Sequence, residues 1–152
     1  MTYYISIKTY SSLTELSERT VRRHISIKKI NFLLDTVKNK TLIATSELTK
    51  NCSIALSVED ISLIIEADNG DSDAQNDLAL LFLEHSKPNI ALYWLNLAVK
   101  QDNPDAMQLL GQCYLSGNGI LKDKNQAMTW ISKAATLGHK IALKQMDDIY
   151  FG

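Results

Sequence analysis

The chain is poor in the residues and patterns that mark several large classes of protein. It carries two cysteines among 152 residues, Cys52 and Cys113, far apart and without Cys-x-x-Cys spacing. That leaves neither a disulfide framework nor a zinc site to read, and both are expected as buried free thiols in a reducing cytoplasm. No stretch approaches the roughly 20 apolar residues of a membrane-spanning helix, so no membrane partner is expected. The opening, MTYYISIK, lacks the basic segment, apolar core and small-residue cleavage site of a secretory signal. The three histidines, His24, His85 and His139, fall on different segments with no nucleophile or ligand partner beside them in sequence. Gly117-Asn118-Gly119 is not followed by the Lys-Ser or Lys-Thr pair of a phosphate-binding loop. On these grounds no enzyme, no metal and no cofactor is expected.

What is present is an ordinary globular composition, 45% hydrophobic and 22% charged, with an uneven distribution of sign. The net charge of -1 conceals a division. Residues 1–50 hold nine bases against four acids, a net of +5, and residues 51–152 hold seven bases against thirteen acids, a net of -6. Such asymmetry suits a chain whose first half meets a polyanion and whose second half does not.

The basic half reads as helix, turn, helix and hairpin. Ser6 can cap a short helix on which Ile7, Tyr10 and Leu13 share one face, and a turn follows at Thr14-Glu15-Leu16. Ser17 can cap a second helix, with Glu18 against its positive end. There Val21 and Ile25 face inward, leaving Arg19, Thr20, Arg22 and Arg23 outside. β-branched and aromatic residues in Lys29–Leu34 and Thr41–Ala44 flank a polar tip, at which Asn39 is best able to accept positive φ.

The stretch "SIKTYSSLTELSERTVRRHISIKKINF", continuing to "KNKTLIATSEL", resembles the winged helix-turn-helix of the excisionase or MerR type over residues 5 to 49. The resemblance implies that Ser17, Arg19, Thr20, Arg22 and Arg23 lie against DNA. It also implies that Lys38 and Lys40 on the wing, with Lys28 and Lys29 before it, meet the backbone. Glu15 and Lys28-Lys29 stand where such domains often carry glycine. Arginine fits that task because its planar guanidinium can hold guanine O6 and N7 together or clamp a phosphate.

Residues 51–66 read as a connecting helix, opened by the capping box Ser57-Val58-Glu59-Asp60 and continued by Ile61, Ile64 and Ile65. The acidic half then repeats itself. Ala74 aligns with Ala106, Leu78 with Leu110, Ala91 with Ala127, Trp94 with Trp130 and Ala98 with Ala134. The offset is 32 in the first helix and 36 in the second, because the first copy lacks four residues of the inter-helix loop. A third copy begins at Gly138, with Ala142 matching Ala106 and Tyr150 matching Tyr114. A period of this length predicts stacked helix pairs, with alanines at close approaches and tryptophans filling the spaces between pairs.

Residues 106–138, in which Leu110, Gly111, Tyr114, Gly117, Gly119, Ile120, Asp123, Ala127, Trp130, Ala134, Ala135 and Gly138 recur in fixed spacing, resemble the Sel-one-like repeat family, a relative of the tetratricopeptide repeat. The resemblance covers residues 67–152 and implies an interaction scaffold. By that analogy the first helices of each pair present Asn76 and Leu80, Gln108 and Gln112, and Lys144 and Asp148 outward, toward a protein or peptide. The lone third helix carries Ile141, Met146, Ile149, Tyr150 and Phe151, an apolar excess that a homodimer through this end would bury.

The expected fold class is therefore mainly α: a winged helix-turn-helix with a small β-hairpin at residues 1–50, a connecting helix at 51–66, and an α-α solenoid of two and a half repeats at 67–152. The expected function is a cytoplasmic, bacterial-type DNA-binding regulator or adaptor whose repeats mediate protein–protein interaction. The alternative is a scaffold whose winged helix no longer binds DNA.

Overall fold

A computed structural model describes residues 1–151 and divides the chain into two compact units, Met1–Gly70 and Asp71–Gly152. The first unit starts from a capped turn. Strand β1 (Tyr4–Ser6) runs into helix α1 (Ile7–Thr14), and Ser6 accepts the Thr9 N–H at 3.2 Å, satisfying one of the orphan donors of the first turn. The stripe Ile7, Tyr10 and Leu13 is buried as its spacing predicts. Helix α2 (Glu18–Ser26) follows a three-residue link, and Ser17 caps it by accepting the Thr20 N–H at 3.1 Å. Strands β2 (Phe32–Asp35) and β3 (Lys40–Ala44) form the hairpin, in register from Phe32 opposite Ile43 to Asp35 opposite Lys40. At its tip the Asp35 carboxylate accepts the N–H groups of Val37 and Lys38, and Asn39 takes a φ of 49°.

Two features of this unit were not legible in the sequence. Strand β1 adds a third member to the sheet, giving the antiparallel order β1-β3-β2 with Ile5 opposite Ile43. The expected connecting helix forms, and two short elements that were not expected precede it. A 3-10 turn (Thr45–Glu47) leads into the short helix α3 (Leu48–Asn51), and helix α4 spans Val58–Asp68. Its capping box is formed: Ser57 accepts the Asp60 N–H at 3.0 Å while the Asp60 carboxylate accepts the Ser57 N–H at 2.8 Å. At its other end the Asp68 carboxylate accepts from the Ser6 N–H at 3.0 Å and from the Ser6 and Thr9 hydroxyls at 2.5 Å each. Those three bonds tie α4 to the start of α1. The core of the unit is Ile5, Tyr10, Leu13, Val21, Ile43, Leu48 and Ile64, all fully buried. Ile25 reaches it only in part, being half-buried at the end of α2.

Both positions where the winged-helix pattern often carries glycine adopt left-handed backbone here, Glu15 at φ 59° and Lys28 at φ 55°. An L side chain in that region costs about 1–2 kcal/mol relative to ordinary backbone.

The described residues of the second unit form five helices: α5 (Ser72–Glu84), α6 (Pro88–Val99), α7 (Pro104–Ser116), α8 (Lys124–Thr136) and α9 (Lys140–Phe151). The repeat extends to the way helices begin. Asp71, Asn103 and His139 accept the N–H groups of Ala74, Ala106 and Ala142, the same repeat position three times over. Asp123 caps α8 through the Gln126 N–H at 3.0 Å. The alanines of the alignment, 74, 91, 98, 106, 127, 134 and 142, are all buried. They let paired helices approach closely, and Gly111 takes this further: a Cβ there would lie 2.6 Å from Ile131 Cγ1 and 3.2 Å from the Ala127 carbonyl oxygen. Gly119, in the inter-helix loop, combines a φ of 75° with a Cβ position 2.7 Å from Pro88, so that loop can pack on α6 only as glycine.

The tryptophans part company. Trp94 is 1% exposed, edge-on to Tyr93 with ring centroids 5.2 Å apart, whereas Trp130 is half-buried and its ring carries the Lys133 ammonium 4.6 Å from the centroid. Trp130 therefore does not fill its space as expected; it walls an open cavity of about 370 Å³ with Val99, Met107 and Leu137. The two cysteines are not in a disulfide, and Cys52 is only half-buried rather than buried. Cys113 is buried, which pushes its thiol pKa up and keeps it protonated.

Candidate functional sites

In the first unit the sequence-predicted residues fall on one helix, one link and one hairpin. Arg19, Arg22 and Arg23 are exposed on α2, and none of them makes an ion pair among the described residues. The Ser17 hydroxyl accepts the Thr20 N–H and lies 3.0 Å from the Thr20 hydroxyl, so the pair positions the helix start. Lys28 and Lys29 are exposed in the link, and Lys38 is exposed at the hairpin tip.

Arg22 and Lys40 border the same opening. They line a groove of about 470 Å³ between α2, the hairpin and the first turn of α1, and a third cation, Lys8, lines it with them. Lys8 was missed by sequence reasoning, although its place just after the cap residue Ser6 puts it in the first turn of α1. Glu18 is the acid in the same groove. Arg19, Arg23, Lys28, Lys29 and Lys38 stand outside it.

The electrostatics of the unit follow from which carboxylates are engaged. Residues 1–70 hold nine bases and eight acids, a net of +1, because α4 adds Glu59, Asp60, Glu66 and Asp68. Half of the eight are bound to backbone donors: Asp35 in the hairpin tip, Asp60 and Asp68 at the ends of α4, and Glu47, buried, which accepts the Asn31 N–H at 3.2 Å. Glu47 also lies 3.8 Å from the Lys50 ammonium, and none of the four pairs with an arginine of α2 among the described residues. The pKa of His24, on that helix, is lowered by desolvation first and then by the charges of Lys29 and Arg23. Loss of water from the Tyr10 hydroxyl raises its pKa, against the hydrogen bond from Asn51, which lowers it.

The second unit corrects two positions. Asn76 and Gln108 were expected to face outward; both are buried. Gln108 donates to the Gln145 carbonyl oxygen at 3.2 Å, a bond between successive first helices. The reason is geometric: each first helix turns one polar position toward the next repeat, and Gln108 occupies it. In the preceding repeat Leu109 stands where Gln145 stands, and the Asn76 carbonyl oxygen accordingly has no hydrogen-bond partner. Leu80, Gln112, Lys144 and Asp148 are exposed.

The histidines also gain partners that sequence spacing concealed. His139 Nε2 lies 2.9 Å from Asp105, and its Nδ1 accepts the Ala142 N–H at 3.1 Å, so its ring is a cap for α9 held in place by a carboxylate. His85 Nδ1 lies 2.9 Å from the Leu81 carbonyl oxygen. Among the described residues no three His, Cys, Asp or Glu side chains gather as metal ligands, and no helix is long and apolar enough to cross a membrane.

Comparison with known proteins bears on the second unit. Residues 72–103 and 104–139 each match the family model described as Sel1 repeat. Among solved structures, a Sel1 repeat protein from Oxalobacter formigenes is 29% identical, with a TM-score of 0.55 over 60% of this chain and 72% of that one. A protective antigen of uropathogenic Escherichia coli, c5321, described as displaying an SLR fold, is 30% identical with a TM-score of 0.55 over 70% of this chain. The chain spans 24% of the length of that second protein. A search of curated proteins finds no match. The two Sel1 repeats indicate a protein–protein interaction module at residues 72–139.

Proposed function

We propose that the first unit is a winged helix-turn-helix that contacts DNA, and that the chain is a cytoplasmic, bacterial-type regulator or adaptor whose Sel1 repeats bring in a protein partner. The observation that carries this reading is the groove in which Arg22, Lys40 and Lys8 converge from α2, the hairpin and α1. A wing and a helix presenting cations to one channel suit a phosphate backbone, while Arg19 and Arg23, exposed outside it, are free to reach base edges. Ser17 and Thr20 serve this arrangement by fixing the start of the helix.

Fluorescence anisotropy of a labelled duplex against the full chain across a salt series tests it. Affinity is expected to fall linearly on log-log axes, with a slope of about 0.9 per phosphate neutralised. Lys8→Ala and Lys40→Ala each take about one from the slope. Arg19→Ala and Arg23→Ala each cost about 1–3 kcal/mol on a preferred sequence. Equal, weak binding by wild type and all four variants overturns the reading.

One observation favours a scaffold without DNA contact. Glu18 shares the groove, and the unit as a whole is only +1. In that reading the arginines of α2 meet an acidic protein surface. Glu18→Gln separates the two: it strengthens duplex binding if the groove takes phosphate and leaves it negligible if it does not.

A further inference from the structure

Strand β2 is a free edge of the sheet in the first unit. The order β1-β3-β2 gives β3 a neighbour on each side and β2 only one, and among the described residues no other strand lies beside it. The Ala44 N–H donates to the Asn31 carbonyl oxygen at 3.0 Å, and the Thr45 N–H to that of Tyr3 at 2.9 Å. Even-numbered residues of β3 therefore bond toward β2 and odd-numbered ones toward β1. Leu33 lies opposite Leu42 and Asp35 opposite Lys40, so the inward backbone groups of β2 belong to Leu33 and Asp35. The N–H and C=O groups of Phe32 and Leu34 point outward, and no hydrogen bond among the described residues takes them up.

Natural edge strands are guarded by lysine, proline or a bulge. Phe32, Leu33 and Leu34 supply none of these, and the pairing with β3 is continuous from Phe32 to Asp35. Leu33 is 43% exposed and Leu34 62%, and Ile27 before the strand and Val37 after it are exposed as well. A strand that fits this edge must turn its own outward groups toward Phe32 and Leu34 and offer apolar side chains on both faces. A second copy of β2, antiparallel and centred on Leu33, does both. Phe32 of each copy then bonds with Leu34 of the other, and Leu33 meets Leu33 at the axis. A register one residue away sets outward groups against inward ones, and the registers beyond it set Asp35 or Asn31 against Leu33. In the Leu33-centred register Asp35 of each copy lies opposite Asn31 of the other, so no like charges face each other within the paired segment.

We propose that β2 pairs with β2 of a second copy of this chain in that register, joining two three-stranded sheets into one of six strands. Three residue pairs make a small contact beside the roughly 1,200 Å² of a lasting interface, so the pairing is transient in free solution and is read by trapping. The two-fold relates the two copies of α2, as a palindromic duplex requires. The pairing itself rests on the edge alone and is independent of DNA contact.

Disulfide trapping of the full chain without DNA tests it, in a Cys52→Ser background that leaves the buried Cys113, with oxidised glutathione as the oxidant. Across the axis the two Leu33 positions form a non-hydrogen-bonded pair with Cα atoms about 4.5 Å apart, within the range of a disulfide. The two Leu34 positions lie two residues apart along the strands, about 6.6 Å, which with the spacing between strands puts their Cα atoms beyond the roughly 7 Å that a disulfide can bridge. Leu33→Cys is therefore expected to form a covalent dimer at least about tenfold faster than Leu34→Cys. Adding Leu34→Pro, which removes an outward N–H and leaves the bonds to β3 in place, lowers the Leu33→Cys rate to that of Leu34→Cys. Adding Leu34→Lys, which keeps the backbone donor and sets a charge against Phe32, lowers it as well. Equal rates at the two positions, no trapping at either, or trapping of Leu33→Cys that neither added substitution slows overturns the proposal. So does slow amide exchange at Phe32 and Leu34 in a chain that stays monomeric, since another segment then covers the edge.

Discussion

Helices α2 and α7 solve opposite problems. Helix α7 buries Ala106, Met107, Gln108, Leu110, Gly111 and Cys113, and almost every side of it is committed to its neighbours. Helix α2 buries only Val21 completely, yet both of its ends are fastened: Ser17 caps the start, and the Ile27 N–H returns to the Arg23 carbonyl oxygen at the other. A helix held by one anchor and its caps contributes little to the core and leaves its outer side free. A helix held by packing cannot change without moving its partners. The difference separates residues that make the fold from residues available to a ligand, and each prediction below presses on it.

The largest expected effect lies in the repeats. Trp94 is among the largest fully buried side chains, so Trp94→Ala should cost about 3–5 kcal/mol in denaturant unfolding. Its half-buried counterpart walls a cavity that is already open, so Trp130→Ala should cost clearly less. Equal losses would mean that the two tryptophans do the same structural work, and that the partition between a buried and an open repeat position is wrong.

The smaller of the local effects concerns the left-handed turns. Glu15→Gly and Lys28→Gly should each stabilise the chain by about 1 kcal/mol, since glycine adopts their positive φ without a side-chain penalty. A gain in the midpoint of unfolding, with an unchanged slope, is the expected outcome. A loss would show that the carboxylate or the ammonium makes a contribution that outweighs the backbone strain. On the exposed side of α2 the comparison sharpens further. Arg19→Ala, Arg22→Ala and Arg23→Ala should each shift stability by less than about 0.5 kcal/mol, because none of these guanidinium groups is buried or, among the described residues, ion-paired. A loss well beyond that from any one of them would place it in the structure of the unit.

How much of this was legible depended on whether the signal was local or repeated. The caps at Ser6, Ser17, Ser57 and Asp123 could be read because a hydroxyl or carboxylate three residues before a helical stripe has one clear use. The repeat could be read because Ala, Gly and Trp recur at positions where only close approach explains them. Strand β1 was hidden because three residues give no alternation to count, and its place beside β3 is decided by Ile5 meeting Ile43 across the sheet. The burial of Asn76 and Gln108 was hidden for a related reason. Helical spacing within α5 or α7 shows which side a residue is on, but whether the next first helix covers that side depends on residues far along the chain, such as Gln145 for Gln108. Lys8 escaped because its groove is assembled from three elements, two of them distant in sequence.

The finest test concerns His24, at the centre of the comparison because it belongs to the helix whose outer side is free. Its pKa is lowered in the folded chain, first by desolvation and then by Lys29 and Arg23, so the unfolded chain binds its proton more readily. Stability from this group is therefore fully present above about pH 6.5, the ordinary imidazole value, and is lost as pH falls through the lower folded value. His24→Gln should flatten that part of the pH–stability curve and leave the neutral region unchanged. A polyanion laid along α2 acts in the other direction, since phosphate beside Arg23 offsets the cations that disfavour the imidazolium. Duplex binding should then tighten from pH 7.5 to 5.5 in wild type more than in His24→Gln. Identical pH dependence in the two would place His24 away from any bound phosphate.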